Sequence, residues 1–384
     1  MHGDFTADFL VIGAGIAGAS IGHALAERGS VVLLERESQP GYHSTGRSAA
    51  LFMESYGPPQ VRALTLASRS FLERPPVGFA DVPILSPRGA LMVATAEQRA
   101  LLDAHWHVLT AISDVAQRLD GKATCAMVPV LRPELIDGGV YEPDASDIDV
   151  HALHQGYLRG LRQRGGRLVC DADASVIERR GSVWHVLAGG RTWQSPVLVN
   201  AAGAWCDTIA RHAGVEPIGL VPKRRSAFVF APPRDVSATS WPAFVGVDES
   251  WYVKPDAGQL LGSPANADPV EPHDVQPEEL DIATAIDRIE TMTTLRIVRP
   301  ARTWAGLRSF VADGSLVGGY DPAAEGFFWV AGQGGYGIQT SAAMGQACAA
   351  LAAGEAIPAA IARFGVDEAL LSPSRLRRVA PDKP

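Results

Sequence analysis

Three glycines near the N-terminus constrain the fold more than any other feature of this sequence. Gly13, Gly15 and Gly18 follow the apolar run Phe9–Ile12 and precede a segment of helical spacing that ends at Gly29. The first glycine permits a tight turn, the second lets a pyrophosphate approach the backbone, and the third lets the helix pack closely on the strand. The anion would then bind at the helix N-terminus. This order of elements predicts a dinucleotide-binding unit.

An acidic residue strengthens that prediction. The second apolar strand, Val31–Leu34, ends in Glu35, seventeen residues after Gly18. A carboxylate there can accept hydrogen bonds from a ribose diol and would repel a 2′-phosphate, which favours FAD or NAD over NADP. Because strand, turn, helix, second strand and acid occur in order, the pattern is more specific than an isolated glycine-rich turn.

Length and charge narrow the class of protein. Single cores stop growing at roughly 250–300 residues, so a chain of 384 residues, 47% of them apolar, is expected to form two domains. A net charge of −8 with mixed signs argues against a nucleic-acid partner. Apolar stretches fall short of the ~18 residues of a transmembrane helix, and no signal pattern precedes the first strand. We therefore expect a cytoplasmic protein, with peripheral membrane association left open.

The four cysteines predict no special chemistry. They are widely spaced and form no CxxC pair: Cys125, Cys170, Cys206 and Cys348. This spacing is atypical of a zinc site or a disulfide framework, and the four contexts are apolar, so we expect no metal and four buried thiols.

A loop of hydroxyl and small residues with one arginine, residues 40–50, follows the second strand. Such a loop could wrap a phosphate. Ser44 or Thr45 could instead cap a helix that runs from Gly46 to Ala50. Both interpretations can hold together, because a capped helix N-terminus also binds anions.

Hydrophobic periodicity divides the remaining chain. Helical spacing predicts helices over 61–71 and 97–119, and another that begins with Asp149 as its cap. From Pro222 the period changes to two, which predicts short strands over 226–231, 244–247, 251–254 and 259–262, followed by a helix over 278–291. A last strand (326–332), a glycine-rich loop (333–337) and a helix (340–353) repeat the opening arrangement. The basic tail 374–378 is expected to be solvated and without a role.

These patterns predict an α/β protein with two domains. One is a Rossmann-like dinucleotide domain built from residues 1–85, 146–221 and 301–384. The other is an α+β substrate domain on a mostly antiparallel sheet, built from residues 86–145 and 222–300.

The opening unit, Glu35-Arg36 and the stretch from His43 to Ala50 resemble the FAD-dependent enzymes of the D-amino-acid oxidase superfamily. Within that superfamily the chain is most similar to the bacterial D-arginine dehydrogenases. The resemblance runs from about residue 8 to residue 372, and its further matching stretches are 153–160, 199–206, 222–228, 252–256, 304–310 and 332–340.

The resemblance implies a non-covalently bound FAD. It assigns the cofactor to Gly13, Gly15, Ile16, Ala17, Gly18, Glu35, Arg36, Ser44, Thr45, Gly46, Arg47, Ser48, Ala49, Ala50, Ala174, Gly203, Gly334, Gly335, Tyr336, Gly337, Ile338 and Thr340.

The resemblance also implies a reaction: a D-amino acid transfers a hydride from its α-carbon to flavin N5, and the imino acid hydrolyses to a 2-oxo acid and ammonia. Arg308 would bind the substrate carboxylate in a bidentate fork, although a structural ion pair remains the alternative. Tyr252 would add a phenol hydrogen bond, and Arg225 is a second basic candidate. Tyr56 resembles an active-site tyrosine on a mobile lid that would accept or relay the ammonium proton, a task that water could also perform.

The substrate pocket is assigned to Leu51, Met53, Ala90, Gly306 and Gln339. Three of these depart from the D-arginine enzymes, because Ala90 replaces a glutamate, Leu51 a histidine and Met53 a threonine. An unpartnered buried guanidinium costs on the order of several kcal/mol. We therefore expect a preference for apolar or neutral D-amino acids over D-arginine.

Two other functions stay open. The substrate could be a secondary amine or N-alkyl amino acid of the sarcosine or proline type, or the chain could bind flavin without turnover. The residues also leave open the electron acceptor (quinone, oxygen or another), the choice between oxidase and dehydrogenase, and the oligomeric state.

Overall fold

The strand–turn–helix at the N-terminus forms as predicted. The computed structural model describes residues 5–234 and 236–377. The strand Phe9–Ile12 is buried along its whole length, the chain turns at Gly13 with φ +98°, and the helix Ile16–Leu25 follows directly. This helix starts earlier than its apolar spacing suggested, because Gly15 is already its N-cap.

This unit lies in the middle of a mainly parallel sheet. Its strands lie in the order Arg167–Val169, Val31–Leu34, Phe9–Ile12, Val197–Asn200, Phe327–Ala331 and Val317–Tyr320. Neighbours are parallel except for the last pair, which is antiparallel. Ile16–Leu25 packs against the helices Val150–Gln163 and Ser341–Ala352. Asp149 caps the first of these by accepting a hydrogen bond from Ala152 N over 2.8 Å, which confirms that prediction.

A smaller sheet covers the other face of the parallel sheet. Its strands lie in the order Phe5–Thr6, Arg191–Ser195, Val183–Ala188 and Ala174–Arg180. Trp184 and Trp193 point into the core that the two sheets share. Coverage on both faces explains why the parallel strands are continuous apolar runs.

The other half of the molecule is built on a large sheet, whose strands come from both early and late parts of the sequence. Its strands lie in the order Asp268–Pro269, Val221–Phe230, Gln259–Ser263, Tyr252–Asp256, Ala243–Gly246, Ala90–Ala94, Gly138–Glu142 and Gln117–Asp120. Pairing is antiparallel except between Ala243–Gly246 and Ala90–Ala94. The helix Glu279–Met292 packs against Gln259–Ser263 and Val221–Phe230.

One strand connects the two halves. Arg302–Phe310 pairs antiparallel with Val221–Phe230 along its whole length, so by hydrogen bonding it lies in the large sheet. In sequence it falls inside the segment 301–384 that we assigned to the dinucleotide domain. The domain boundaries remain a prediction.

A short sheet of Leu51–Phe52, Ser146–Ile148 and Leu85–Pro87 lies between the halves. The other helices are Pro59–Glu73, Arg99–Thr110, Gly121–Met127, Cys206–His212, Ala359–Ala362 and Glu368–Leu371, with 3₁₀ turns at Thr45–Arg47, Ala96–Gln98, Gly203–Trp205 and Pro373–Leu376. Within the described ranges, no helix is long and apolar enough to cross a membrane.

The predicted helix over 97–119 is wrong in its second half. The helix Arg99–Thr110 ends at Thr110, whose hydroxyl donates to Trp106 O one turn earlier. The segment Gln117–Asp120 forms the edge strand beside Gly138–Glu142. Edge pairing therefore overrides the local helical pattern.

The expectation that the basic tail has no role is also wrong. Arg375 forms an ion pair with Asp313 over 2.7 Å and donates to the carbonyls of Ser315 and Leu316, while Arg377 pairs with the buried Asp321. The tail therefore fastens the chain end to the parallel sheet. The rest of that segment, from residue 378, lies outside the described residues.

Candidate cofactor and substrate site

A long cavity is lined by residues of both the parallel sheet and the large antiparallel sheet. It begins at the Gly13 turn and passes the 41–49 loop, the 172–174 segment and the 201–209 segment. It ends among Arg225, Tyr252, Arg308 and the 333–338 loop. The cavity therefore joins the predicted phosphate-binding turn to the predicted carboxylate-binding arginine, which are about 300 residues apart in sequence.

Each of the three glycines of the opening turn is required for a different structural reason. A Cβ at Gly18 would lie 1.8 Å from Gly13 O, so only glycine allows the helix to approach the strand this closely. A Cβ at Gly13 would lie 2.6 Å from Ala201 O, and its φ of +98° also requires glycine. A Cβ at Gly15 would meet only Thr45 Oγ1, at 3.2 Å. Gly15 borders the cavity. Because it has no side chain, a ligand can approach the backbone there.

The loop after the second strand is tied to both halves of the molecule. Ser44 Oγ donates to Leu307 O over 2.6 Å, and Thr45 Oγ1 accepts from Ile16 N over 2.9 Å. Arg47 donates to Val275 O over 2.9 Å. The alternative interpretation, a capped helix over 46–50, is wrong, because only the 3₁₀ turn Thr45–Arg47 forms and Ser44 makes no capping hydrogen bond. Thr45 instead covers the N-terminus of the helix Ile16–Leu25.

Glu35 lies where the sequence predicts, at the end of its strand and on the cavity wall. It is 7% exposed, and its carboxylate accepts from Ala14 N over 2.9 Å and from Glu37 N over 3.0 Å. The guanidinium of the neighbouring Arg36 lies over the ring of Trp205, 4.7 Å from its centroid. Trp205 also lines the cavity. It lies in the stretch 199–206 that supports the family resemblance, but our site assignment did not include it.

Most of the assigned cofactor residues line this cavity. They are Gly13, Gly15, Ile16, Ala17, Glu35, Arg36, Ser44, Thr45, Arg47, Ser48, Ala49, Ala174, Gly203, Gly334, Gly335, Gly337 and Ile338. Five others are not among the residues that line it: Gly18, Gly46, Ala50, Tyr336 and Thr340. Of these, Thr340 is fully buried and donates to Tyr336 O over 2.9 Å, so it supports the glycine-rich loop.

Arg308 and Arg225 share the substrate end of the cavity. Arg225 stands opposite Gly306 in the pairing of their strands, and Arg308 is two residues further along. Both side chains therefore lie on the same face of the sheet. A Cβ at Gly306 would point toward the loop that carries Ser44 and Arg47. Arg225 Nε donates to Asn266 O over 2.6 Å. Burial, and then the charge of Arg308, lower the pKa of Arg225.

Neither guanidinium forms an ion pair with a carboxylate in the ranges 5–234 and 236–377. Arg308 Nη1 donates instead to the hydroxyl of Tyr56 over 3.2 Å. A Cβ at Gly335 would lie 2.9 Å from the Arg308 guanidinium, so this glycine makes space for it. Two neighbouring cations that find no carboxylate partner among these residues favour the approach of an anion.

Aromatic rings surround Arg308. Tyr252 lines the cavity from its strand in the large sheet. The rings of Tyr56 and Tyr336 meet edge to face with centroids 5.0 Å apart, and Phe310 lies 6.3 Å from Tyr336. The structure therefore brings together all four predicted catalytic residues. Asn266, which supports Arg225, carries no signal in the sequence that could have identified it.

The predicted pocket residues lie mostly in a closed apolar cluster next to Tyr56. Met53 is 6% exposed and Ala90 is 1% exposed, while Leu51 is partly exposed. Gln339 is buried, and its side chain donates to Met53 O over 3.3 Å and accepts from Met53 N over 3.3 Å. Gly306 is the one residue of this predicted set that borders the described cavity.

The fold and the cavity together define a class of protein with a dinucleotide-type cavity on a parallel sheet, into which an antiparallel sheet places two arginines. The chain belongs to the family described as FAD dependent oxidoreductase, whose family model matches residues 8–351. The family and its fold, predicted from the sequence, are thereby confirmed. The closer similarity to the D-arginine dehydrogenases stays a prediction.

Individual curated relatives share only low sequence identity with this chain, and over only part of it. L-2-hydroxyglutarate dehydrogenase of Salmonella houtenae is 26% identical over 239 residues, which cover 59% of this chain and 54% of that protein. The chain spans about a third to a half of the length of the curated relatives it matches.

Solved structures match over nearly the whole chain. Glycine oxidase from Geobacillus kaustophilus has a TM-score of 0.79 at 21% identity and covers 92% of this chain and 96% of its own. L-proline dehydrogenase from P. horikoshii has a TM-score of 0.81 at 18% identity and covers 97% and 98%. Similarity at these identities establishes the fold.

FAD is the cofactor of the family, and the cavity fits it. The backbone at Gly15 is open to a pyrophosphate, and at Gly203 no atom lies within 4 Å of where a Cβ would stand. The buried carboxylate of Glu35 borders the same space and can accept from a ribose. Bound FAD supplies a two-electron acceptor.

Proposed function

We propose that this protein oxidises a free amino acid by removing a hydride from its α-carbon, which gives an imino acid and then a 2-oxo acid and ammonia. The proposal includes a preference for D-amino acids with apolar or neutral side chains. The observation that carries it is the pair Arg225 and Arg308, two guanidiniums at one end of the FAD cavity that form no ion pair with a carboxylate of the described residues.

The residues of the chain would divide the work as follows. Arg308 receives the substrate carboxylate in a bidentate fork, with Arg225 supplying a second positive charge. Tyr252 donates a phenol hydrogen bond to the same group. Because binding of the carboxylate fixes the orientation of the α-carbon, the arginines contribute mainly by placement. The ammonium group must lose a proton before the C–H bond breaks, and Tyr56 or a water next to it would take that proton.

The preference for apolar side chains rests on the cluster next to Tyr56. Leu51, Met53 and Ala90 present no charge there. The carboxylate nearest in strand pairing is Glu142, opposite Ala90, but it is 2% exposed and accepts hydrogen bonds from Glu54 and Ser55. The cluster is closed in this structure, so a substrate side chain must open it to enter. A guanidinium that did so would lose its hydration without gaining a partner, which disfavours D-arginine.

The structural neighbours support an amino-acid substrate and suggest a second candidate. Glycine oxidase and L-proline dehydrogenase are named for a primary and a secondary amine, respectively. Oxidation of a secondary amine such as sarcosine is therefore the alternative. The D preference rests on the resemblance to the D-arginine dehydrogenases.

The test is to mix the FAD-bound protein anaerobically with D-Leu, D-Met, D-Phe, D-Arg, L-Leu and sarcosine while the flavin absorbance is followed. Bleaching by neutral D-amino acids but not by D-Arg is the expected result. If D-Arg bleaches fastest, the enzyme class stands and the pocket argument fails. If only sarcosine bleaches the flavin, the substrate is a secondary amine, and if nothing does, the proposed function is wrong.

A further inference from the structure

A buried carboxylate with no part in the proposed reaction lies beside the turn that carries Tyr56. Glu142 is the last residue of the strand Gly138–Glu142 and stands opposite Ala90. Burial raises the pKa of this carboxyl, while hydrogen bonds from Ser55 and Glu54 oppose the shift. A group that is costly to bury normally has strong local partners.

Both oxygens of Glu142 bind the same turn. Oε1 accepts from Glu54 N over 2.8 Å, and Oε2 accepts from the hydroxyl of Ser55. Tyr56 is the next residue in the chain. One side chain from the large sheet therefore holds the two residues that immediately precede the tyrosine contacting Arg308.

The other side of the turn is fixed by different groups. Gln339 holds both the N–H and the C=O of Met53, and Tyr56 N donates to Met53 O over 3.4 Å. The Glu54 carboxylate forms an ion pair with Arg69. Glu142 is thus the support that reaches the turn from the substrate half of the molecule.

This inference rests on the proposed function. We propose that Glu142 is a positioning residue, which by binding Glu54 and Ser55 keeps the Tyr56 hydroxyl on Arg308 and so keeps the guanidinium oriented toward a substrate carboxylate. It acts through Tyr56 and does not touch the substrate. Its two oxygens are engaged by the turn, and its side chain is closed off from solvent.

The proposal predicts that Glu142 and Tyr56 act as one unit. In Glu142→Ala the turn loses two hydrogen bonds and Tyr56 is free to leave Arg308, so the effect should match that of Tyr56→Phe. Combining the two changes should add little, since residues in one network are not additive. Glu142→Gln keeps an oxygen for Glu54 N–H and an amide that can donate to the Ser55 hydroxyl, so it should restore positioning.

Binding of a carboxylate without turnover measures this directly. The FAD-bound protein is titrated with 4-methylpentanoate, the deaminated analogue of leucine, and the dissociation constant is read from the flavin spectrum. We expect Glu142→Ala and Tyr56→Phe each to raise this constant by about 5–10-fold, the double variant by about the same factor, and Glu142→Gln by less than about 2-fold. Ser55→Ala, a milder change, should raise it by about 2–3-fold, and not in the Tyr56→Phe background.

The control is Asp321→Asn, another buried carboxylate, which receives the N–H groups of Ala323 and Ala324 in a turn of the parallel sheet. It should leave the dissociation constant unchanged. If Glu142→Ala has no effect, or if its effect multiplies with that of Tyr56→Phe, the positioning role is wrong. If the unaltered protein does not bind 4-methylpentanoate at all, the failure lies in the proposed function.

Discussion

The guanidinium of Arg308 donates a hydrogen bond of 3.2 Å to the hydroxyl of Tyr56, which is 252 residues earlier in the chain. Arg308 comes from a strand of the large sheet, and Tyr56 from a turn held between Gln339 and Glu142. The phenol oxygen accepts from the cation, so its own proton points elsewhere and can be relayed. This contact joins, at one end of the cavity, segments that are distant in sequence.

Replacement of Arg308 should remove carboxylate binding. Arg308→Met leaves the shape of the side chain but no charge, and Arg308→Lys leaves a charge without the fork, so neither is equivalent. We expect kcat/KM to fall by about 10²–10³-fold for the methionine variant and by about 10-fold or more for the lysine variant. Stopped-flow reduction of the flavin at several substrate concentrations gives these values.

The matched control for Arg308 is Arg302→Met, on the same strand but exposed. It should leave kcat/KM within about 2-fold of the unaltered enzyme. Equal losses at the two positions would mean that Arg308 supports the strand and does not bind substrate.

Two glycines of the opening turn should respond differently to alanine. At Gly18 the new Cβ would lie 1.8 Å from the backbone oxygen of Gly13, so helix and strand must separate. At Gly15 it meets only the Thr45 hydroxyl, at 3.2 Å, but it narrows the space next to the backbone. Gly18→Ala should therefore cost about 2 kcal/mol or more in the free energy of unfolding of the apoprotein.

Gly15→Ala should keep the apoprotein stable within about 1 kcal/mol and weaken FAD binding by about 10-fold or more. Thermal unfolding without FAD and fluorescence titration with FAD separate the two effects. Apoprotein destabilised equally by both changes would show that Gly15 is needed for packing and not for the cofactor.

The sequence predicted the cofactor unit well because its determinants are local. The tight turn at Gly13, the close packing at Gly18 and the acid at Glu35 each follow from neighbouring residues. The same holds for the Asp149 cap. Resemblance then supplied Arg308, Arg225, Tyr56 and Tyr252, which no spacing rule would have brought together.

The failures have a non-local cause. The strand Gln117–Asp120 forms because an edge of the large sheet is available to it, and the local pattern favours a helix. The hydroxyl of Thr45 accepts from Ile16 N, at the start of a helix 29 residues earlier. A local capping pattern could not have predicted this contact. Arg375 and Arg377 are fixed by Asp313 and Asp321, far from the charge run itself.

Restoring a carboxylate at Ala90 should change substrate preference. Ala90→Glu places a charge in an apolar cluster where the native residue is 1% exposed, so the variant should be less stable. A cationic substrate would partly offset that cost, because its guanidinium pairs with the new carboxylate. We expect D-Arg to raise the Tm of this variant and the ratio of kcat/KM for D-Arg over D-Leu to rise by about 10-fold or more.

Ala94→Glu is the matched control, since Ala94 is buried in the same strand and cluster, four residues away. It should lose stability without any response to D-Arg. A protein that already prefers D-Arg with Ala90 in place would contradict the pocket argument.

His105 should make the stability of the protein depend on pH. It lies on the helix Arg99–Thr110, where burial, and then the charge of Arg62, lower its pKa to about 4. The ordinary value is 6.5. Above pH 6.5 the ring is neutral in both states. As the pH falls from 6.5 to about 4, the unfolded chain binds a proton that the folded protein does not, so stability is lost over this window and levels off below it.

The predicted slope is up to about 1.4 kcal/mol per pH unit for one proton. Chemical denaturation at several pH values should show that His105→Leu loses this part of the dependence, whereas His107→Leu, at an exposed position of the same helix, keeps it. Carboxyl groups also titrate in this range, so the difference between variant and unaltered protein is the quantity to compare. Equal slopes for His105→Leu and the unaltered protein would mean that His105 accepts its proton in the folded state.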